Sequence, residues 1–382
     1  MTHQPVGIRS VALNFPSIVR TNDYWQQNYP ELVTEAESRT LAKLFKPAEP
    51  AVNQKEQDLL WSEAIRPYLS DPFRGTVERR VLAPGETSLA LEYGAARSAL
   101  EAAELSTDEV DLMIVTTLFP EQIAPGNASY LARKLGLNCP AWNLESTCSS
   151  ALVAMQNASA LVQTGEYRNV LVVISCIYSH FVDEDDTLSW FMADGAGAFL
   201  VSTLKPNQGV LGTKIVHTQA TCGAFFNELV TDANGLPRMR IQTGESASKQ
   251  LGGTSVHLVR TCCEGAIASA GVSLDDIKFF AFNTPTAWYA NLCARSLGID
   301  PDRTINLYPY YANIGPVLPI ANLYYGAQSK KIRENDLVLV YTIGSASTAA
   351  ATVMRWGEVK LGTLPASAVN LNKSVSNILT TV

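Results

Sequence analysis

The chain has 382 residues, 47% of them hydrophobic and 17% charged, with 24 Gly and 19 Pro. That is the make-up of an ordinary globular protein, and it excludes disorder and collagen-like repetition. A formal charge of −7 without a local Lys/Arg cluster offers phosphates no basic field, which argues against nucleic acid as a partner.

The opening, MTHQPVGIRSVALNFPS, has no basic stretch followed by an apolar one, and no run approaches the roughly 18 apolar residues of a membrane span. A soluble, cytoplasmic protein is expected. From about Asn22 to Arg74, YWQQNYPELVTEAESRTLAKLF and QKEQDLLWSEAI read as inserted helices. LSTDEVDLMIVTTLFP (105–120) is an acidic helix start feeding an apolar strand, and a helix ending in YLARKLGL (130–137) follows. NLESTCSSALVAMQNASALVQTGEYRNVLVVI (143–174) reads as turn, buried helix, polar loop and apolar strand. DGAGAFLVSTL (194–204) is a small-residue turn leading into a strand with a hairpin-like end.

The same order then returns, in VSLDDIKFFAFNTPTA (272–287), LCARSLGI (292–299), the stretch 306–343 and GSASTAAATVMRW (344–356). Two copies of about 150 residues result. The expected division is an N-terminal half over 1–207 carrying the helical insertion at about 22–74, a C-terminal half over 208–357, and a Ser/Thr/Asn-rich tail over 358–382 whose last dozen residues are expected to be mobile. Short apolar runs such as Leu112–Val115 and Val170–Ile174 alternate with helical periodicity, the pattern of α/β units with buried, largely parallel strands. The helix beginning near Cys148 carries Ala, Ser, Val and Met on nearly all faces, which suits burial between two sheets and predicts five layers, αβαβα.

Seven cysteines, at 139, 148, 176, 222, 262, 263 and 293, show neither paired zinc-site spacing nor the density of a disulfide framework, so reduced thiols and no metal site are expected. Cys262 and Cys263 point in different directions on one helix and make poor joint ligands. Cys148, in ESTCSSAL, precedes a buried helix whose dipole and free N–H groups would lower a thiol pKa. That is a nucleophile's setting, and equally a place for a small core residue.

The motifs in order resemble the thiolase fold, and within it the ketoacyl-acyl-carrier-protein synthase III family of condensing enzymes. The likeness runs from Val6 to Trp356 through APGETSLALEYGAARSALEAA (83–103), VDLMIVTT (110–117), the elbow at Cys148, GEYRNVLVV (165–173), ADGAGAFLV (193–201), YANIGPVLPIANLYYGA (311–327) and IGSASTAAATVMRW (343–356). The resemblance implies that Cys148 takes an acyl group from a thioester, with its own N–H and one from the turn holding Gly344, Ser345 and Ala346 forming the oxyanion hole. It implies no bound cofactor, a symmetric homodimer, and an acyl donor on the phosphopantetheine of a carrier protein or CoA.

One departure stands out: the family's active-site His falls on Asn283, in FNTPTAW, whereas its later Asn matches Asn313. An amide donates to an oxyanion but takes up no proton, so acid–base work must come from elsewhere. His257, in the helix whose family counterpart lines the pantetheine tunnel, and His217, opening the second copy, are candidates; His180 reads as solvated. Glu121 sits on the loop that in this family walls the partner subunit's acyl pocket. Glu145 suggests a structural hydrogen bond. Arg74, in SDPFRGTVERR (70–80), would meet a phosphate, but the family's Trp and Arg-Thr-Gly clamp for CoA is not recognisable, which favours a carrier protein as donor.

Three readings follow. In the first, an acyltransferase passes the Cys148-bound acyl group to a small-molecule acceptor in fatty-acid, polyketide-type or other specialised metabolism. The second is a decarboxylative Claisen condensation giving a β-ketoacyl product, with Asn283 and Asn313 as oxyanion donors. The third is a non-catalytic partner of an active homologue.

Overall fold

The computed structural model describes residues 4–44, 56–232, 234–345 and 347–367, the side chains of 40–44 excepted. The last dozen residues of the tail, expected to be mobile, lie outside them. Two sheets organise the chain. The first has six strands in the order Lys360–Leu361, Val6–Asn14, Asp194–Thr203, Asn169–Ile177, Leu112–Leu118, Ala141–Asn143. The second has four, in the order Ile277–Phe282, Leu337–Ile343, Thr348–Arg355, Gly209–His217.

The strands are mixed rather than largely parallel. Asp194–Thr203 runs antiparallel to both neighbours, as does Thr348–Arg355. These are the two hairpin-like segments, and each doubles back on the strand before it, whereas Leu112–Leu118 and Asn169–Ile177 pair in parallel across a helical crossover.

Two helices lie between the sheets, Ser150–Gln163 and Val317–Gln328. Ten residues of the second, from Val317 to Gly326, are buried without interruption, as expected of a helix apolar on all sides. Outside the first sheet pack Ser88–Ala102 and Asn127–Leu135; outside the second pack Ala247–Ala270 and Tyr289–Leu297. This is a five-layered αβαβα thiolase-like arrangement. Thr87 starts Ser88–Ala102 by accepting the Ala90 N–H on its hydroxyl, an N-cap that satisfies an otherwise orphan donor.

The stretch 22–74 contains the helices Asp23–Asn28, Pro30–Leu44 and Glu56–Ile65. Arg79 anchors the first of them: its guanidinium donates to Trp190 O at 2.7 Å and Asn22 Oδ1 at 2.9 Å and lies over the Trp25 ring. Glu56–Ile65 rests on Ala247–Ala270, where Arg260 pairs with Glu56 at 2.7 Å. A separate antiparallel ribbon, Phe225–Thr231 with Pro237–Thr243, belongs to neither main sheet and was not anticipated from the sequence.

Candidate active site

The strand Ala141–Asn143 leads through Glu145 and Ser146 into a single turn, Thr147–Ser149, and then into the buried helix Ser150–Gln163. Thr147 sits at φ +48°, a left-handed conformation that costs a β-branched residue about 1–3 kcal/mol. Hydrogen bonds hold it there. The Glu145 carboxylate accepts the Thr147 N–H, and the Ser146 N–H donates to Ser150 Oγ at 2.8 Å. Ser146 Oγ bonds to Ser347 and Thr348 hydroxyls at 2.9 and 2.7 Å, and Ser149 Oγ donates to Thr348 O at 2.8 Å. The elbow of the first half is thus bolted to the 344–348 turn of the second.

Cys148, on that elbow, opens onto a cavity of about 580 Å³. Its walls are mainly apolar and include Leu118, Phe119, Leu188, Phe191, Met192 and Ile241, with Phe225 from the separate ribbon. Trp61, Trp288 and Arg74 line the same space. Although part of Cys148 faces the cavity, the surrounding protein strips it of bulk water, and burial pushes its thiol up to about 11. The Tyr178 hydroxyl, 3.8 Å from Sγ, opposes that shift and the Glu145 charge adds to it. The helix-start effect expected to lower the thiol is outweighed, because desolvation acts on the whole thiolate charge and a helix terminus supplies only a fraction of one.

This geometry meets three comparisons. The sequence matches the profile of 3-oxoacyl-[acyl-carrier-protein] synthase III over residues 142–231 and that of its C-terminal region over 267–356. The β-ketoacyl-[acyl-carrier-protein] synthase III of Rhodopirellula baltica is 29% identical over 306 residues, covering 74% of this chain and 88% of that protein. The Rhizobium meliloti protein of the same name is 27% identical over 295 residues, with the same coverage. The chain belongs to the ketoacyl-acyl-carrier-protein synthase III family. It is an enzyme of the acyltransferase type. The crystal structure of 3-oxoacyl-[acyl-carrier-protein] synthase III from Aquifex aeolicus shares the fold of this synthase III family member, with a TM-score of 0.70 at 23% identity over 92% of this chain and all of that one.

Within this family member the expected site residues divide. Asn313 lines the cavity: its Oδ1 accepts the Gly315 N–H at 2.9 Å and its amide nitrogen lies 3.8 Å from the Met192 sulfur, a weak acceptor. Ser345 and Arg74 also line it; the Arg74 guanidinium donates to the Tyr68 and Leu69 carbonyls. Asn283 is buried and does not line the cavity. Its amide donates over 3.4 Å to Cys148 O and 3.3 Å to Gly315 O, so backbone carbonyls take the donor expected for substrate, and its Oδ1 is left without a partner. Gly344 is a second correction: its N–H goes to Thr348 O at 2.7 Å and is spent on the turn. Ala346 lies outside the described residues.

The histidine candidates are corrected outright. His257 is exposed on the outer face of Ala247–Ala270, and His217 is exposed at the end of its strand, opposite Thr348; neither lines the cavity. Both elements turn their small or apolar side chains inward, which leaves the imidazoles outside. Glu121 is exposed and does not line this chain's cavity. It accepts the Leu89 N–H at 2.9 Å and the Ser88 hydroxyl at 3.1 Å, at the start of Ser88–Ala102.

Sequence reading missed Tyr178, one residue beyond the strand Asn169–Ile177, because an aromatic at a strand end looks like core. It also missed the pairing of Trp61, from the inserted helices, with Trp288; their rings meet edge to face at 6.1 Å. The run PTAWY at 285–289 carried a signal, since a Pro and an aromatic beside Asn283 mark a loop next to the family's site. Trp61 carried none within its own window.

Proposed function

We propose that this enzyme loads an acyl group from a phosphopantetheine thioester onto Cys148 and transfers it to a small-molecule acceptor. The observation that carries the reading is the Cys148 sulfur at an apolar-walled cavity of about 580 Å³ on an elbow held in a strained conformation. Such a cavity takes an apolar acyl chain, and the fixed elbow presents one sulfur to the thioester carbonyl. Cys148 S attacks that carbon, negative charge builds on the carbonyl oxygen in a tetrahedral transition state, and collapse releases the pantetheine thiol. Backbone N–H groups of Cys148 and of the turn at Ser345 are the donors proposed for the oxyanion. Asn313 then polarises the carbonyl of the acyl-enzyme or of the second substrate.

A carrier protein is the preferred donor. CoA gains ground from Trp61, Trp288 and Arg74 lining one cavity, two aromatic surfaces and a cation that suit a nucleotide. Condensation is the second reading, favoured by the names of the relatives and by the Asn313 amide at the cavity. Loss of carbon dioxide needs no proton acceptor, so the lack of a histidine among the described residues that line the cavity does not oppose it. We further propose a homodimer, with the edge strand Ala141–Asn143 and the loop after Leu118 at the interface and Glu121 reaching toward the partner's pocket.

Intact mass spectrometry of the protein and of Cys148→Ala, after incubation with acetyl-, malonyl- and longer acyl thioesters of carrier protein and CoA, tests the scheme. An adduct on the wild-type chain that is absent from the variant supports the acyl-enzyme. Carbon dioxide release with malonyl donors selects condensation over transfer. No adduct with any donor would leave only a non-catalytic partner role.

A further inference from the structure

We propose that Tyr178 is a catalytic residue whose phenol relays the Cys148 proton to the departing pantetheine sulfur as the acyl-enzyme forms. This rests on the reading of Cys148 as the acyl acceptor. Tyr178 lines the cavity, and its hydroxyl lies 3.8 Å from Cys148 Sγ, within hydrogen-bond range of a sulfur. The buried Cys176 sulfur is a second neighbour of the phenol. Phe119 packs against the ring with centroids 5.5 Å apart. On another side the chain at Gly315 comes so close that a Cβ there would stand 2.9 Å from Cys176 Sγ and 3.5 Å from the Tyr178 oxygen. Glycine spares the Cys176 sulfur that contact and leaves the phenol at ordinary packing distance.

Among the described residues, Glu245 also lines the cavity, as an exposed carboxylate with no bond to the Cys148 sulfur. Glu145 holds the Thr147 N–H, Glu121 holds the start of Ser88–Ala102, and His180, His217 and His257 are exposed. Asn283, where the resemblance puts the family's His, does not titrate. Burial pushes both the Cys148 thiol and the Tyr178 phenol up, so both are neutral at pH 7. A relay between neutral groups suits that setting, because neither a free thiolate nor a free phenolate has to form in a site stripped of water.

The step balances. In one concerted event the Cys148 sulfur bonds to the thioester carbonyl carbon as its S–H proton passes to the Tyr178 oxygen, and the carbon–sulfur bond to pantetheine breaks as the Tyr178 O–H proton passes to the leaving sulfur. One thioester is exchanged for another, a free thiol is released, and the phenol ends as it began.

Rapid-quench mass spectrometry of Cys148 acylation by acyl-CoA and acyl-carrier thioesters, in the wild type and Tyr178→Phe, tests the relay. Removing the hydroxyl is expected to slow acylation about 10²-fold at pH 7 with the half-saturating donor concentration unchanged. Alkylation of Cys148 by iodoacetamide, whose leaving iodide needs no proton, should fall less than about tenfold. A variant acylated at the wild-type rate with the wild-type pH profile would overturn the relay and leave the Cys148 reading standing. Absence of wild-type acylation would remove both. Should the variant fold poorly, the wild type alone decides: acylation in H₂O/D₂O mixtures must show two protons in flight, and a single one overturns the relay.

Discussion

At Cys148 the resting group is a thiol, with about one molecule in 10⁴ ionised at neutral pH given a pKa of about 11. Its alkylation by iodoacetamide, followed by peptide mass spectrometry, should therefore rise about tenfold per pH unit from pH 7 toward 11. A plateau near pH 7 would mean a thiolate already formed. The two asparagines behave differently although the sequence singles out both. Asn313→Ala removes an amide at the cavity and should lower turnover about 10²–10³-fold while leaving the melting temperature within a few degrees, read by steady-state kinetics and calorimetry. Asn313 is turned by the Gly315 N–H two residues on, whereas the Asn283 amide is settled by carbonyls from distant segments, Cys148 O and Gly315 O. No local sequence window contains the latter information, so residue type was legible and the orientation of Asn283 was not.

The elements show the same division between pattern and contact. Buried strands, the helix after Cys148 and the helix Val317–Gln328 follow from runs of apolar residues, because burial on all sides leaves no polar face to confuse the period. The ribbon Phe225–Thr231 with Pro237–Thr243 does not follow, since its mixed polar and aromatic residues give no clean alternation. Gly344 shows what joins elements. A Cβ there would meet Thr147 Oγ1 at 2.2 Å and Ser146 O at 2.8 Å. Gly344→Ala should lower stability by about 2 kcal/mol or more, read by thermal unfolding, and suppress acyl-adduct formation by displacing the elbow. On the helix Ser88–Ala102, Glu92 is fully buried and accepts hydrogen bonds from Thr117, Ser175 and Asn127. Burial nonetheless raises it to about 7. An acid raised in the folded state contributes fully below its ordinary value of 4.5, and that contribution falls away as pH climbs from 4.5 to about 7. The loss is on the order of 3 kcal/mol, and Glu92→Gln should flatten the decline in denaturant titrations across that window. The TSLALEYGAA segment shows Glu92 only as one more polar residue on an amphipathic helix.

For the whole molecule, the internal repeat made the two sheets and their layering legible, since each half needs the other to bury its inner helix. Assembly leaves a fainter trace. Ile123 is 91% exposed, and Trp142, on the edge strand of the first sheet, is 39% exposed. Light scattering should give a particle of two 41.4 kDa chains, and Trp142→Glu combined with Ile123→Glu should give one. A monomeric wild type would end the dimer proposal. The ribbon has a consequence for how this enzyme can change its diet. It closes one wall of the cavity with Phe225 and Ile241, yet joins the body through few ties: the Ile241 N–H donates to Phe181 O, and Arg238 and Arg240 pair with Asp183. Such a part behaves like a removable roof. Its residues can be exchanged, and the range of admitted chains redrawn, while the sulfur, its neighbouring phenol and the bolted elbow beneath carry on unaltered.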